Sequence, residues 1–250
     1  MNRVHKLLGA VLLVSLVLNE KAVPQTVDAF NAGASGSVYA LAYQPDGKVL
    51  VGSSYRGISR VNPGGTLDQT FNSSGGTINC IAVQVDGKIL VGGSFATLSG
   101  QTCTNLGRLN PDGSLDATFR SGARGTVYAM AFQADGKILV GGSFSSLSGQ
   151  PCTNIGRLNI QGSLDTTFNP TANGTVFTTA VQPDGRILLG GVFSAMAGQS
   201  VTNIARLYSD GLPDAAFNPK ADSGVYSLAL QSDARILVGG AVFHLGWAGV

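Results

Sequence analysis

A unit of about 49 residues recurs along this chain. Such a period constrains the fold strongly, because each copy must build the same piece and bury its apolar face against its neighbours. The aspartate of an Asp-Gly-Lys-like turn returns at Asp46, Asp86, Asp135, Asp184 and Asp233, with spacings of 40, 49, 49 and 49. Residues 127–144 (VYAMAFQADGKILVGGSF) are representative. A second module follows at 154–168 (NIGRLNIQGSLDTTF), with counterparts at 105–119 and 203–217. The first copy of that module, 57–71, is preceded by eight fewer residues than the others.

Each repeat reads as four short strands, typified by VYAMAF, KILVGG, NIGRL and SLDTTF. The first two are apolar on both faces, as buried central strands are, and the fourth is more polar, as an outer edge is. Asp-Gly or a near variant separates strands one and two, and again strands three and four. Flanked by apolar runs, that dipeptide marks a hairpin, because glycine supplies the positive φ of the turn. Glycine makes up 35 of 250 residues and charged residues only 12%. The first figure argues against a mostly helical chain, the second against a charge-rich disordered one. The expected fold is all-β: a β-propeller of four-stranded antiparallel blades, one per repeat. A β-solenoid is the competing architecture, but it favours shorter parallel coils, whereas two tight turns per repeat imply antiparallel hairpins. The Gly pairs at 92–93, 141–142, 190–191 and 239–240 fit places where strands crowd or backbones approach closely.

The stretches QPDGKILVGG-like, NIARLN-like and DGSLDTTF-like, present across residues 26–240, resemble the delta-60 repeat, a bacterial propeller-type domain of unknown function. The resemblance implies an exported or surface-associated bacterial propeller and carries over no catalytic residue. The first copy departs from it at Gly57, where the other copies have Asn.

The two ends are read separately. Arg3 and Lys6 precede an apolar run of twelve, 7–18, too short to span a bilayer but suited to a signal-peptide core, so residues 1–22 are expected to direct export. Removing that segment takes three of 16 basic and one of 14 acidic residues, leaving 13 of each. A near-neutral chain without clustered Lys and Arg gives no ground for a nucleic-acid partner. No other apolar run is long enough for a membrane span. After Gly240 the pattern calls for strands three and four and instead reads AVFHLGWAGV. Residues 27–30 (VDAF) resemble a lone fourth strand. The expectation for 23–250 is therefore four complete blades and a partial fifth: a propeller incomplete at the C-terminus, with exposed edges and a tendency to aggregate.

Residues that recur in every copy read as structural. Arg60, Arg108, Arg157 and Arg206 each precede an aspartate by eight positions, at Asp68, Asp116, Asp165 and Asp214. The pairs straddle a hairpin turn, so a cross-strand ion pair worth about 0.2–1 kcal/mol is expected. On that view, exchanging Arg157 and Asp165 preserves most stability. Gln44, Gln84, Gln133, Gln182 and Gln231, with Lys48, Lys88, Lys137, Arg186 and Arg235, flank the first turn and should hydrogen-bond around it. The turn aspartates offer too few oxygens for calcium, no metal is expected, and no cofactor motif is present. Cys103 and Cys152 occupy the same register in adjacent repeats, too far apart for a disulfide, and Cys80 reads as a small buried side chain.

Function is argued by elimination and by the loops. His5 lies in the signal segment and His244 in the anomalous tail, so the repeats hold no histidine for a Ser or Cys nucleophile, and no catalytic residue is assigned. In a four-stranded blade, turns one–two and three–four share one face, and loop two–three and the inter-blade link share the other. The second face carries the variation. Variable loops on a rigid scaffold are where binding resides, and Tyr55, Arg56, Arg120 and Arg124 are the candidate ligand-binding residues, with Lys220 and Asp222 as further departures. The expectation is an exported, non-enzymatic binding or scaffold module whose partner is a protein or a surface polysaccharide. The alternatives are a lectin-like propeller and a hydrolase or lyase with its site in the central funnel. The lectin would need an aromatic platform in every blade.

Overall fold

The computed structural model describes residues 36–71 and 75–246. The signal segment at 1–22 and the lone strand at 27–30 lie outside them. Five main antiparallel sheets follow one another along the chain, with two small two-stranded ribbons at 97–102 and 195–200, and no helix occurs among the described residues. The first three blades are Val38–Tyr43, Val49–Ser53 and Gly57–Val61; then Thr77–Val83, Ile89–Ser94 and Leu106–Leu109; then Ala123–Phe132, Ile138–Leu147 and Ile155–Leu158. The fourth is Thr175–Val181, Ile187–Val192 and Ile204–Leu207, and the fifth is Val225–Leu230 with Ile236–Gly240. In the first four the second strand is central, pairing with the first on one side and the third on the other. That position explains the all-apolar runs: residues 89–93, 138–142 and 187–191 are buried throughout. The first strands of successive blades pack against one another.

The fourth strand is shorter than the sequence suggests. It pairs through one bridge in each of the first four blades, Val61 with Leu67, Leu109 with Leu115, Leu158 with Leu164 and Leu207 with Pro213. The aspartate that follows ends it. The Asp116 carboxylate accepts from the Thr118 amide at 3.0 Å, and the Phe119 amide donates to the Asp116 carbonyl at 3.1 Å. An aspartate that bonds the backbone two residues on makes a turn in place of a ladder. In the first four blades the SLDTTF-like segment is thus a turn more than a strand, and each of those blades has three paired strands and a bridge.

Blade contact depends on a bulge. In each blade the first strand carries one extra residue opposite the middle of the second, between Val38 and Ala40, Ile78 and Cys80, Val127 and Ala129, Val176 and Thr178, and Val225 and Ser227. The first glycine of the pairs at 92–93, 141–142 and 190–191 faces the next blade there. A Cβ on Gly92 would lie 2.6 Å from Val127 Cγ1, and one on Gly141 2.8 Å from Val176 Cγ1. The glycines let the second strand of one blade touch the first strand of the next, as the pairs suggest. The buried residues of those strands form clusters that run across blade boundaries, such as Leu90, Val127 and Val140, or Leu139, Val176 and Leu189. Each fully buried Val, Leu or Ile contributes about 1.5–3 kcal/mol.

Among the described residues no strand of the first blade pairs with one of the fifth. Val38, Leu41 and Tyr43 are exposed at one end, and Leu237 and Phe243 at the other.

Candidate functional site

The two faces of the blades are built differently. On the turn face, each Asp-Gly turn is closed by its own side chain: the Lys48, Lys88, Lys137 and Arg186 amides donate to Asp46, Asp86, Asp135 and Asp184 Oδ1 at 3.0–3.2 Å. The second-strand lysines then reach past the turn. Lys48, Lys88 and Lys137 Nζ lie 3.0, 2.8 and 2.9 Å from Asp68, Asp116 and Asp165 Oδ2. The same oxygens take Arg60, Arg108 and Arg157 Nε at 2.9, 2.8 and 2.9 Å. The recurring Arg–Asp pair is therefore as close as the spacing implies. It is not an exposed pair, because Arg108 is 3% and Asp116 5% exposed.

Each guanidinium also serves the next blade. Arg60 Nη1 donates to the Pro111 carbonyl at 2.5 Å, Arg108 Nη1 to Ile160 at 2.8 Å and Arg157 Nη1 to Ser209 at 2.5 Å. Its plane lies over the phenylalanine that ends its own repeat, 4.4 Å from Phe71, 4.7 Å from Phe119 and 4.4 Å from Phe168. That phenylalanine covers the turn glycine of the following blade, so a Cβ on Gly113 or Gly162 would sit 2.9 Å from Phe71 or Phe119 Cδ2. The fourth blade departs. Arg186 replaces the lysine and bonds Asp184 at 2.8 Å, and Arg206 keeps Asp214 at 2.8 Å and Phe217 at 4.5 Å. The Gln44 and Gln182 Oε1 atoms are buried without a partner, whereas Gln84 and Gln133 Oε1 accept from Arg108 and Arg157 at 3.4 and 3.2 Å.

The carboxylates titrate accordingly. At Asp68 the Thr70 hydroxyl, with Lys48 and Arg60, outweighs burial and holds the pKa far below the usual range. At Asp116 and Asp165 burial pushes the pKa up, and bonds from the lysines, threonines and arginines more than reverse it. A depressed folded pKa stabilises above the unfolded value of about 3.9 and is lost as pH falls through the folded one. Stability measured by urea unfolding should therefore be flat from neutral pH down to about pH 4 and fall steadily below it. Carboxylates held ionised and paired in this way are poor proton donors near neutrality, so this network acts as a tie between blades.

The loop face is held by an asparagine that the sequence shows only as a recurrence. Asn105, Asn154 and Asn203 have φ of 62, 63 and 62°. Their Oδ1 atoms accept from the Phe95, Phe144 and Phe193 amides at 2.8, 3.1 and 3.2 Å. Their Nδ2 atoms donate to the Ala123, Ala172 and Ala221 carbonyls at 3.0 Å in each case. One side chain thereby fastens the loop to the link entering the next blade. Gly57, with φ 74°, meets the same backbone demand in the first blade, which explains the departure there.

The expected ligand-binding residues lie on this face in two groups. Tyr55 is 87% exposed, at φ 70°, on the short turn of the first blade, and the Arg56 amide donates to the Ser54 carbonyl at 2.9 Å beside it. Arg120 is exposed on the link between the second and third blades, and Arg124 is exposed at the start of the third blade's first strand. A ligand touching both groups must span the second blade. Lys220 is exposed at φ 46°, whereas the Asp222 carboxylate accepts from the Phe243 and His244 amides at 3.0 Å each and closes a loop. Asn173 does the same work with Ser194 and Ala195 at 3.0 and 2.9 Å, so Asp222 is a structural clamp.

A feature missed in the sequence is an aromatic row on the first strands. The bulged residues are Tyr39, Asn79, Tyr128, Phe177 and Tyr226. The Tyr128 and Phe177 rings are 5.1 Å apart, and Phe177 and Tyr226 5.4 Å. The signal was present as the second residue of VYALAY, VYAMAF, VFTTAV and VYSLAL, but a strand pattern does not foretell that a bulge will aim it at a neighbour. The rings pack on one another and do not stand apart as one platform per blade. Among the described residues the free thiols of Cys103 and Cys152 are buried, with pKa pushed up to about 11, and that of Cys80 to about 12, by loss of water. Among those residues no group of three or more His, Cys, Asp or Glu could hold a metal ion, and no helix is long and apolar enough to cross a membrane.

These features define a row of β-propeller blades joined by a recurring polar tie. The chain belongs to the family described as domain of unknown function (DUF5122) beta-propeller, whose model matches residues 44–71, 84–119, 133–168 and 182–217. Its description does not carry the name delta-60 repeat. No curated protein matches the sequence. Solved structures similar in fold include one assigned as a gluconolactonase, at 17% identity and TM-score 0.53, covering 84% of this chain and 71% of that one. A Xanthomonas campestris gluconolactonase matches at 15% identity and TM-score 0.51, covering 81% and 69%. PorZ of Porphyromonas gingivalis, described as a surface component of the type-IX secretion system, matches at 15% and 0.50, covering 88% of this chain and 33% of that one. At these identities the likeness is one of fold.

Proposed function

We propose that this chain is an exported, non-catalytic binding module of the delta-60 type that holds a protein partner through its loop face. The observation that carries the reading is the division of labour between the faces. On the turn face the buried arginines and aspartates are engaged in ties repeated from blade to blade, whereas the loop face differs between blades and presents Tyr55, Arg120 and Arg124 to solvent. Tyr and Arg are the residue types that anchor interfaces. A surface polysaccharide is the second partner class. The aromatic row favours it less, because its rings are spent on each other. A lactone-hydrolase reading rests on fold likeness alone, which does not carry function.

The test uses the full chain immobilised against bacterial surface extracts, a glycan array and a gluconolactone hydrolysis assay. Capture of a defined protein is expected. The triple variant Tyr55→Ala, Arg120→Ala, Arg124→Ala should reduce capture at least tenfold with an unchanged melting temperature. Capture equal in the variant, binding to glycans alone or lactone turnover would overturn the proposal.

A further inference from the structure

The segment that enters the third blade departs from its counterparts. It reads FRSGARG at 119–125, against FNPTANG at 168–174 and FNPKADS at 217–223. At the sixth position of that stretch the later blades use the side chain as a clamp. Asn173 Oδ1 accepts from the Ser194 and Ala195 amides, and the Asp222 carboxylate from those of Phe243 and His244. An arginine has no acceptor to offer there, and the third blade holds its loop by other means. Its first two strands, Ala123–Phe132 and Ile138–Leu147, stay paired across that position, Phe144 with Gly125 and Leu147 with Ala123. In the second and fourth blades the same pairing stops at Thr77 with Ser94 and at Thr175 with Val192. The ladder thus replaces the clamp, and the Arg124 side chain is released to solvent. Arg120 is exposed four positions earlier, where the later links have Asn169 and Asn218. The backbone between the two arginines is fixed. The Gly122 carbonyl accepts from the Ser148 amide at 2.8 Å, the Ala123 amide donates to the Thr104 carbonyl at 3.0 Å, and the Ala123 carbonyl takes Asn105 Nδ2 at 3.0 Å.

The charge around this segment has one sign. Among the described residues neither arginine forms an ion pair, and the loop face holds one carboxylate, Asp222, which two backbone amides occupy. Exposed aspartates such as Asp86, Asp112 and Asp135 lie in turns of the opposite face. We propose that residues 120–124 form an anion seat, in which Arg120 and Arg124 grip the carboxylates of an acidic, extended segment of the partner protein. The inference rests on the loop-face reading and names the chemistry of its partner. The two Cα atoms are no more than about 14 Å apart. Carboxylates about two to four residues apart on an extended peptide match that span. A guanidinium takes a carboxylate through two parallel hydrogen bonds, which a lysine could not do. Because the backbone is already fixed, binding orders little beyond the two side chains. The exposed Ser143 hydroxyl, on the strand opposite Arg124, is a donor for a peptide carbonyl. An anionic polysaccharide fits less well, because Phe119 and Phe144, the rings beside the seat, are buried and offer no face to a sugar.

The full chain is titrated with a labelled octaglutamate peptide, with octaglutamine, and with an oligogalacturonate of equal charge. Saturable binding of octaglutamate that weakens as salt rises is expected, with none of octaglutamine and weaker binding of the galacturonate. The double variant Arg120→Asn, Arg124→Asn should bind octaglutamate at least about tenfold more weakly with an unchanged melting temperature. Asparagine stands at both positions in the fourth blade, as Asn169 and Asn173, so the fold accepts it. Arg235→Asn, which removes an exposed cation from the turn face, should bind as the parent does. No saturable binding, equal binding by the double variant, an equal loss in Arg235→Asn, or galacturonate bound as tightly as octaglutamate would overturn the proposal. If the Tyr55, Arg120 and Arg124 triple variant loses a captured protein while octaglutamate does not bind, the acidic-partner inference falls and the loop-face reading stands. Capture unchanged in the triple variant removes both.

Discussion

Arg157→Ala should lower the unfolding free energy by about 3–5 kcal/mol, the range for removing one member of a buried ion pair. The guanidinium bonds Asp165, Gln133 Oε1 and the Ser209 carbonyl and stacks on Phe168. Deleting it leaves a buried carboxylate short of one donor, with Lys137 still beside it. It also removes a polar bond between the third and fourth blades. Arrays of repeats are stabilised by nearest-neighbour contacts, so loss of one interface should broaden the thermal transition as well as shift it. The double variant Arg157→Asp, Asp165→Arg should not recover stability, contrary to the simple cross-strand expectation. The exchanged charges would set the new carboxylate against the Ser209 and Gln133 oxygens and the new guanidinium against Lys137. Urea titration of the three proteins checks this. Recovery of most of the lost stability by the double variant would mean that the pair acts alone and that the inter-blade contacts contribute little.

Asn154→Ala should cost about 2–5 kcal/mol, and Asn154→Gly clearly less. Two penalties add in alanine. A side chain with Cβ at φ 63° costs about 1–2 kcal/mol. The Phe144 amide and the Ala172 carbonyl also lose their partners, at about 1–3 kcal/mol for a buried polar group left unmet. Glycine incurs only the second. The first blade already contains that substitution at Gly57, in a loop that lacks the small ribbons at 97–102 and 195–200. Chemical denaturation of both variants, with hydrogen exchange at Phe144, separates the penalties. Equal losses would show that backbone conformation plays no part.

The scaffold was legible because its signals are local. Asp-Gly turns, apolar second strands and glycine pairs each act through the nearest few residues or the adjoining strand, and repetition made them readable. The fourth strand was over-read because SLDTTF alternates like a strand, while the Asp116 and Asp165 carboxylates fold the backbone into a turn. The Arg–Asp pairing was visible from its spacing of eight, but its burial and its reach to Pro111, Ile160 and Ser209 depend on a blade about 50 residues further on. The aromatic row was missed for the same reason: a bulge, set by glycines on the partner strand, turns Phe177 toward Tyr128 and Tyr226. The loop-face residues were found only as departures from pattern. The structure puts Tyr55 and Arg120 in the open and assigns Asp222 to a loop closure.

The blade-to-blade tie has a direction. Each one runs forward, from an arginine to a turn 51 or 52 residues later, and none runs back. A duplication or deletion of one whole repeat therefore leaves every donor facing an acceptor of the same kind, and only the border blade changes its neighbours. An insertion of half a repeat would mismatch the tie that spans it. The gene for such a protein is free to change length in steps of one blade, and the loops of each added copy can diverge without disturbing the ties beneath them.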